Sequence, residues 1–201
     1  MSDRATVALE RIRNKLGSLR KLDAKCKVSG ATSHRYRLGP PLAEPDLKWF
    51  ERQLRITIPS EYRVFLAEIG HGGAGPYYGL FTLDGDDSEN ITSIDELSKP
   101  FRWTDAFNPE DWENPCEQDG VEGDQDGEFV GMSVPGALYL CDYGCALRFF
   151  LVVSGPCQGE VWHDWQSAGA GIYPAVNAEG HRLGFLEWYE QWLDQSLTVC
   201  V

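Results

Sequence analysis

The sequence predicts an α+β fold in which helices pack on an antiparallel-dominated, mixed β-sheet, and three stretches carry that prediction. Tyr62, Phe65, Leu66 and Ile69 fall at i, i+3, i+4 and i+7, so four large apolar groups share one helix face and dock on something flat. Residues 137–164 alternate apolar runs with turn residues, the pattern of an antiparallel meander. Phe185, Trp188, Tyr189 and Trp192 repeat the helical spacing and predict a C-terminal helix that closes the core.

In chain order, a first helix is expected over residues 3–22, with Leu9, Ile12, Leu16 and Leu19 on its inner face. Arg4, Arg11, Arg13, Lys15, Arg20 and Lys21 are left for solvent or acidic neighbours. Breakers at Gly39-Pro40-Pro41 and Pro45 mark a connection, so residues 1–45 read as an N-terminal amphipathic helix and its linker. Residues 46–201 read as the main domain, with an acidic insertion at about 84–128. Asp46 is expected to cap a second helix carrying Leu47, Phe50 and Leu54.

Pro59 blocks any helix entering from the left, and Ser60 is expected to cap the next one, with Glu61 favoured by its dipole. Gly70 and the pair Gly72-Gly73 are expected to stop it, because glycine takes positive φ without penalty. A short apolar strand is predicted over 78–83 and a short helix near 94–97. Residues 101–128 have little periodicity, but Trp103, Phe107 and Trp112 favour an ordered surface over a solvated insertion. In the meander, strands are expected at 137–141, 145–153 and 160–164, with turns at 142–144 and 154–156. The run 149–153 is apolar on both faces and should lie centrally, covered by helices on at least one side.

Composition narrows the function classes. A chain of 201 residues with 42% hydrophobic and 12% aromatic content can bury a sizeable core. No stretch approaches the roughly 20 consecutive apolar residues of a membrane span. Residues 1–5 lack the apolar core of a secretory signal, so a cytoplasmic location is expected. Six cysteines, at 26, 116, 141, 145, 157 and 200, then read as free buried thiols.

Charge is unevenly spread. Residues 1–37 hold ten Lys/Arg and three Asp/Glu, a net of +7, and the remainder holds eight and twenty-eight, a net of −20. Residues 84–128 alone carry sixteen Asp/Glu against Lys99 and Arg102, a net of −14. The basic first helix could grip phosphates, but the acidic remainder would repel a nucleic-acid backbone, so no nucleic-acid partner is expected.

Several chemical constellations fail on spacing. Cys141, Cys145, Cys157 and His163 could ligate a metal, yet they lack the paired C-x2-C pattern of structural zinc. A calcium loop counted from Gly127 as its sixth position puts Ser133 at the twelfth, where a bidentate glutamate is needed. A hydrolase would take Cys145 or Cys157 as nucleophile, His163 as base and Asp164 or Asp142 as orienter, but His163 and Asp164 alternate to opposite faces of a strand. The glycines at 70–75 follow a helix and lack the lysine and serine of a P-loop.

Pro59 through Phe65 resembles the "leucine/isoleucine, proline, two residues, tyrosine, two residues, phenylalanine" helix start of the SUKH superfamily, and His71-Gly72-Gly73 stands where that family usually has asparagine-glycine-glycine. Residues 136–140, 142–145, 151–155 and 159–162 are similar to its second half, and together the likeness runs over residues 45–195. The superfamily includes the yeast cell-wall regulator of the Smi/Knr type and many bacterial immunity proteins. The resemblance implies a single SUKH-like domain that acts by binding, with no catalysis, cofactor or metal. Its expected role is neutralisation in the cytosol of a cognate secreted toxin, polymorphic or contact-dependent and often a nuclease. The alternative it implies is a regulatory adaptor of the Smi/Knr type with host protein partners.

An anionic surface set with aromatic rings complements a basic toxin domain. The expected contact residues are Asp84, Asp86, Asp87, Glu89, Trp103, Asp105, Asp111, Trp112, Glu113, Glu122, Asp124 and Asp126. No membrane partner is expected, and the oligomeric state is left open.

Overall fold

The computed structural model describes residues 3–83, 91, 93–108 and 132–200. Helices α1 (Asp3–Leu22), α3 (Glu44–Leu54), α4 (Ser60–Glu68) and α6 (Phe185–Val199) carry most of the helical mass, and α2 (Ala31–His34) and α5 (Ile94–Ser98) are short. Four strands, β3 (Ala137–Gly144), β4 (Leu147–Val152), β5 (Val161–Trp165) and β6 (Gly171–Pro174), form an antiparallel sheet in sequence order. A small antiparallel pair, β1 (Leu38–Gly39) with β2 (His71–Gly73), lies beside it. The fold is α+β, as the periodicities predict.

The alternation of each strand divides the core in two. Leu138, Leu140, Phe149, Leu151 and Val161 join the helices in one cluster with Ile12, Phe65, Phe185 and Tyr189. Tyr139, Phe150, Val152, Trp162 and Ile172 pack on the other face against Phe101 and Val134, with Trp103 and Phe107 at the margin. Burial of both faces is why β4 reads as a continuous apolar run.

Helix α1 lies along α6, burying Leu9, Ile12, Leu16 and Leu19. Its charges meet acidic neighbours: Arg11 reaches Glu190 at 2.6 Å, and Lys15 reaches Glu190 at 2.8 Å and Asp194 at 2.6 Å. Arg13 donates to the Glu68 carbonyl at 2.7 Å. Among the described residues, no helix is long and apolar enough to cross a membrane.

Several local expectations are corrected. Ser60 does not cap α4. Pro59 is the cap residue, and its carbonyl accepts the Arg63 N–H at 2.9 Å. Asp46 likewise falls inside α3, which starts at Glu44 because Pro45 suits a first turn whose N–H groups are unpaired anyway. Helix α4 ends before Gly70, and Gly72-Gly73 belongs to β2 instead of a helix stop. Residues 78–83 form no strand. Leu80 makes single bridges to Gly73 and Cys141, tying the small sheet to β3.

The first hairpin turns at Cys145-Ala146, with φ of 55° and 58°, and not at 142–144. Two register shifts in β3 carry its last residues past the expected turn. Strand β6 was not predicted, since its four residues offer a single β-branched side chain, Ile172. Cys141 and Cys157 are buried thiols as expected, but Cys145 is exposed at the hairpin tip and Cys26 and Cys200 are half-buried. Cys116 lies outside the described residues.

Candidate functional site

On the helix-facing side of the sheet, between β4, β5 and α6, a cleft of about 370 Å³ with several aromatic lining residues opens. Its floor is Phe149 and His163, its near wall Pro76 and Tyr77, and its far wall Trp188, Gln191, Trp192, Gln195 and Val199 of α6. Val28 and Ser29 close the third side. Among the described residues, no charged side chain lines it.

The rings are tightly arranged. His163 stacks on Tyr173 at 4.4 Å and 15°, and Phe149 leans on its other side at 4.4 Å. Tyr77 lies 3.9 Å from Tyr143, whose ring reaches Trp165 at 5.5 Å. Burial pushes the His163 imidazole down to about 4, so it is neutral at ordinary pH. Its Nδ1 and the Nε1 of Trp165 are buried with no hydrogen-bond partner among the described residues.

The cleft walls are held by buried polar groups. Asp23 accepts the N–H groups of Lys27 at 2.7 Å and Val28 at 3.0 Å, which fixes the Val28-Ser29 wall. Burial opposes ionisation of Asp23, but these amides and the Tyr36 hydroxyl outweigh it and hold the carboxyl below its usual range. Tyr77 has φ of 53°, a backbone region unfavourable to a bulky residue and often found at ligand sites. Gly30 passes so close beneath it that an added Cβ would lie 1.7 Å from the Tyr77 carbonyl oxygen.

Of the expected contact residues, Trp103 and Asp105 are described, and both sit on the opposite face of the sheet from this cleft. The Trp103 ring is half-buried between Phe101 and Phe107, with Arg102 over it at 4.5 Å. Asp105 is exposed and paired with Arg182 at 3.3 Å. That guanidinium also bonds the Thr104 carbonyl and Glu160, and lies over Trp162 at 5.8 Å. Asp84, Asp86, Asp87, Glu89, Asp111, Trp112, Glu113, Glu122, Asp124 and Asp126 lie outside the described residues.

The candidate nucleophile, base and orienter are not brought together. His163 belongs to the cleft, whereas Asp164 points to the far face and accepts the Tyr139 hydroxyl at 2.8 Å and the Gln166 amide at 3.1 Å. Cys157 is on that far face, against the Trp103 carbonyl at 3.5 Å, and burial pushes its thiol up. Among the described residues, no three His, Cys, Asp or Glu side chains gather as a metal site would require.

The cleft was invisible to spacing arguments because its rings come from four separate segments. The one signal in the sequence was the spacing of His163 and Trp165, which puts two rings on one face of a strand.

His71, at the place of the family's asparagine, is buried and accepts the Leu83 N–H at 2.7 Å through Nε2. It thereby ties β2 to the backbone at Leu83. No curated protein and no solved structure matches the chain significantly. The family model described as SMI1 / KNR4 family (SUKH-1) matches residues 41–183, which span α3 through β6 and the floor of the cleft. The chain therefore belongs to the SMI1/KNR4 family (SUKH-1).

Proposed function

We propose that this protein is an immunity protein, which binds a cognate secreted bacterial toxin directly in the cytosol and blocks it. Membership of the SMI1/KNR4 family is compatible with that role. The observation that carries the reading is the segregation of charge. Residues 84–128 hold a net of −14, while Arg4, Arg11 and Lys15 of the basic first helix are paired with Glu187, Glu190 and Asp194 of α6.

Asp95, Glu96 and Asp105 of that segment pair with Arg55, Lys99 and Arg182, and the excess of acid that the sequence carries there is complementary to a basic domain such as a nuclease. Acidic groups speed the encounter, and aromatic side chains such as Trp103 and Trp112 hold the complex once water is expelled. The test is association kinetics with the product of the neighbouring gene. Replacing Asp111, Glu113, Asp124 and Asp126 together by their amides should lower the association rate by about tenfold or more at low salt and flatten its salt dependence. Unchanged kinetics would remove the acidic segment from the interface, and failure of the neighbouring product to co-purify would remove the immunity role.

A further inference from the structure

We propose that the basic patch built by residues 20–37 is a docking surface for an acidic segment of a protein partner. This goes beyond the immunity reading and does not rest on it. Arg20, Lys21, Lys25, Lys27, Arg35 and Arg37 are all exposed, and among the described residues none of them forms an ion pair. The single acid of the stretch, Asp23, is 3% exposed, and its oxygens are engaged by the amides of Lys27 and Val28 and by the Tyr36 hydroxyl. The stretch therefore holds a net of +5 with all its positive groups facing water.

Local packing draws these cations together. Asp23 gathers the backbone at 27–28 and the ring of Tyr36, and Arg20 Nε donates to the Tyr36 carbonyl at 2.7 Å. The end of α1, the loop after it and the residues on either side of Tyr36 thus converge on one buried hub. The remainder of α1 treats its cations differently: Arg4 pairs with Glu187, Arg11 and Lys15 with Glu190, and Arg13 with Glu68. Cations also offset the dipole at a helix C-terminus, which accounts for Arg20 and Lys21. It does not account for Lys25, Lys27 or Arg37, which lie in no helix. Like charges gathered in this way repel one another, and an acidic partner relieves that repulsion.

Two observations favour a protein segment over other polyanions. Leu22, next to Lys21, is 57% exposed, so the patch offers an apolar contact among its charges, which a segment mixing carboxylates with an apolar side chain would use. A nucleic acid or an anionic membrane carries its phosphates past the patch. There it would meet the remaining described residues, which hold twelve Lys/Arg against seventeen Asp/Glu. A short acidic segment stays within the basic stretch.

The experiment needs only this protein and synthetic probes, so its outcome is independent of whether the partner is a toxin. A labelled peptide of glutamates with a central leucine is titrated with the full chain at low salt and followed by fluorescence anisotropy. It should bind saturably, more tightly than a peptide of glutamates alone and more tightly than a labelled single-stranded oligonucleotide of the same length. Replacing Lys21→Gln, Lys25→Gln and Lys27→Gln together should weaken binding by about tenfold or more, and Leu22→Ser should remove the advantage of the central leucine. Lys48→Gln, Arg52→Gln and Lys99→Gln, three exposed positions elsewhere, change the net charge equally and should leave binding intact. No saturable binding, an equal loss in the two triple variants, equal affinity for the two peptides, or tighter binding of the oligonucleotide would overturn the proposal.

Discussion

Tyr36 donates its phenolic hydroxyl to the buried carboxylate of Asp23 at 2.7 Å, across thirteen residues of chain. The bond closes a loop in which Arg35 and Tyr36 both have positive φ, at 48° and 56°, a conformation that non-glycine residues rarely hold unaided. Replacing Asp23 by alanine strands that hydroxyl and the amides of Lys27 and Val28. The variant should lose about 3 kcal/mol of stability, read from the midpoint of urea unfolding, and loosen the Val28-Ser29 wall of the cleft. A loss below about 1 kcal/mol would mean that water replaces the carboxylate without difficulty.

Gly30→Ala tests the contact between that wall and Tyr77. An added methyl would lie 1.7 Å from the Tyr77 carbonyl oxygen on a residue whose φ is 77°, so space and backbone geometry both oppose it. The substitution should destabilise the fold by more than about 2 kcal/mol and displace Tyr77 from Tyr143. Gly180→Ala is the control, because its φ of 81° carries a similar backbone penalty with nothing within 4 Å of the added carbon. The difference between the two midpoints isolates the clash.

Acid should weaken the protein before its carboxylates titrate. The His163 imidazole is pushed down to about 4 in the fold, against roughly 6.5 in an unfolded chain. Below pH 6.5 the unfolded state therefore binds the extra proton, and stability falls as pH drops from there towards 4, by on the order of 3 kcal/mol in all. Burial lowers His34 in the same sense and adds to the slope. Unfolding free energies at pH 7.5, 6 and 5 should converge partly for His163→Phe, which keeps a ring between Phe149 and Tyr173 but cannot titrate. An unaltered slope in that variant would assign the effect elsewhere.

Gln166 is expected to matter more than its place in a short turn suggests. Its side chain accepts the Met132 N–H at 2.8 Å, donates to the Met132 carbonyl at 3.0 Å and donates to Asp164 at 3.1 Å. Gln166→Leu keeps the bulk and deletes all three bonds. It should cost about 2–3 kcal/mol and abolish slow hydrogen exchange at the Met132 amide. Retained protection there would show that the neighbouring backbone is held by other means.

Long periodic elements were legible in the sequence, because an amphipathic helix needs one surface to face and the residues record it. Helices α1, α4 and α6 and the centre of the sheet all follow from the spacing of Leu9, Phe65, Trp188 and Phe150 with their neighbours. Short elements were not. The turn at Cys145-Ala146 uses left-handed residues without glycine or asparagine, and β6 is too brief for alternation to register. The cleft escaped for a related reason: its rings are neighbours only through strand pairing and the docking of α6, which local patterns do not encode. The acidic segment was read from charge alone, and of the residues named there and nearby, Trp103 and Asp105 have a described setting on the far face.

Phe107 exchanges both backbone bonds with Ile172 at 2.8 Å, Asn108 donates to the Gly169 carbonyl at 2.8 Å, and Met132 is gripped by Gln166. The chain therefore departs and returns at one corner of the scaffold, on the turn between β5 and β6. Because closure entropy grows only with the logarithm of length, the number of residues joining these two anchors adds little to the cost of closing them, and changes in that number are expected to leave the grip of Gln166 and Ile172 in place.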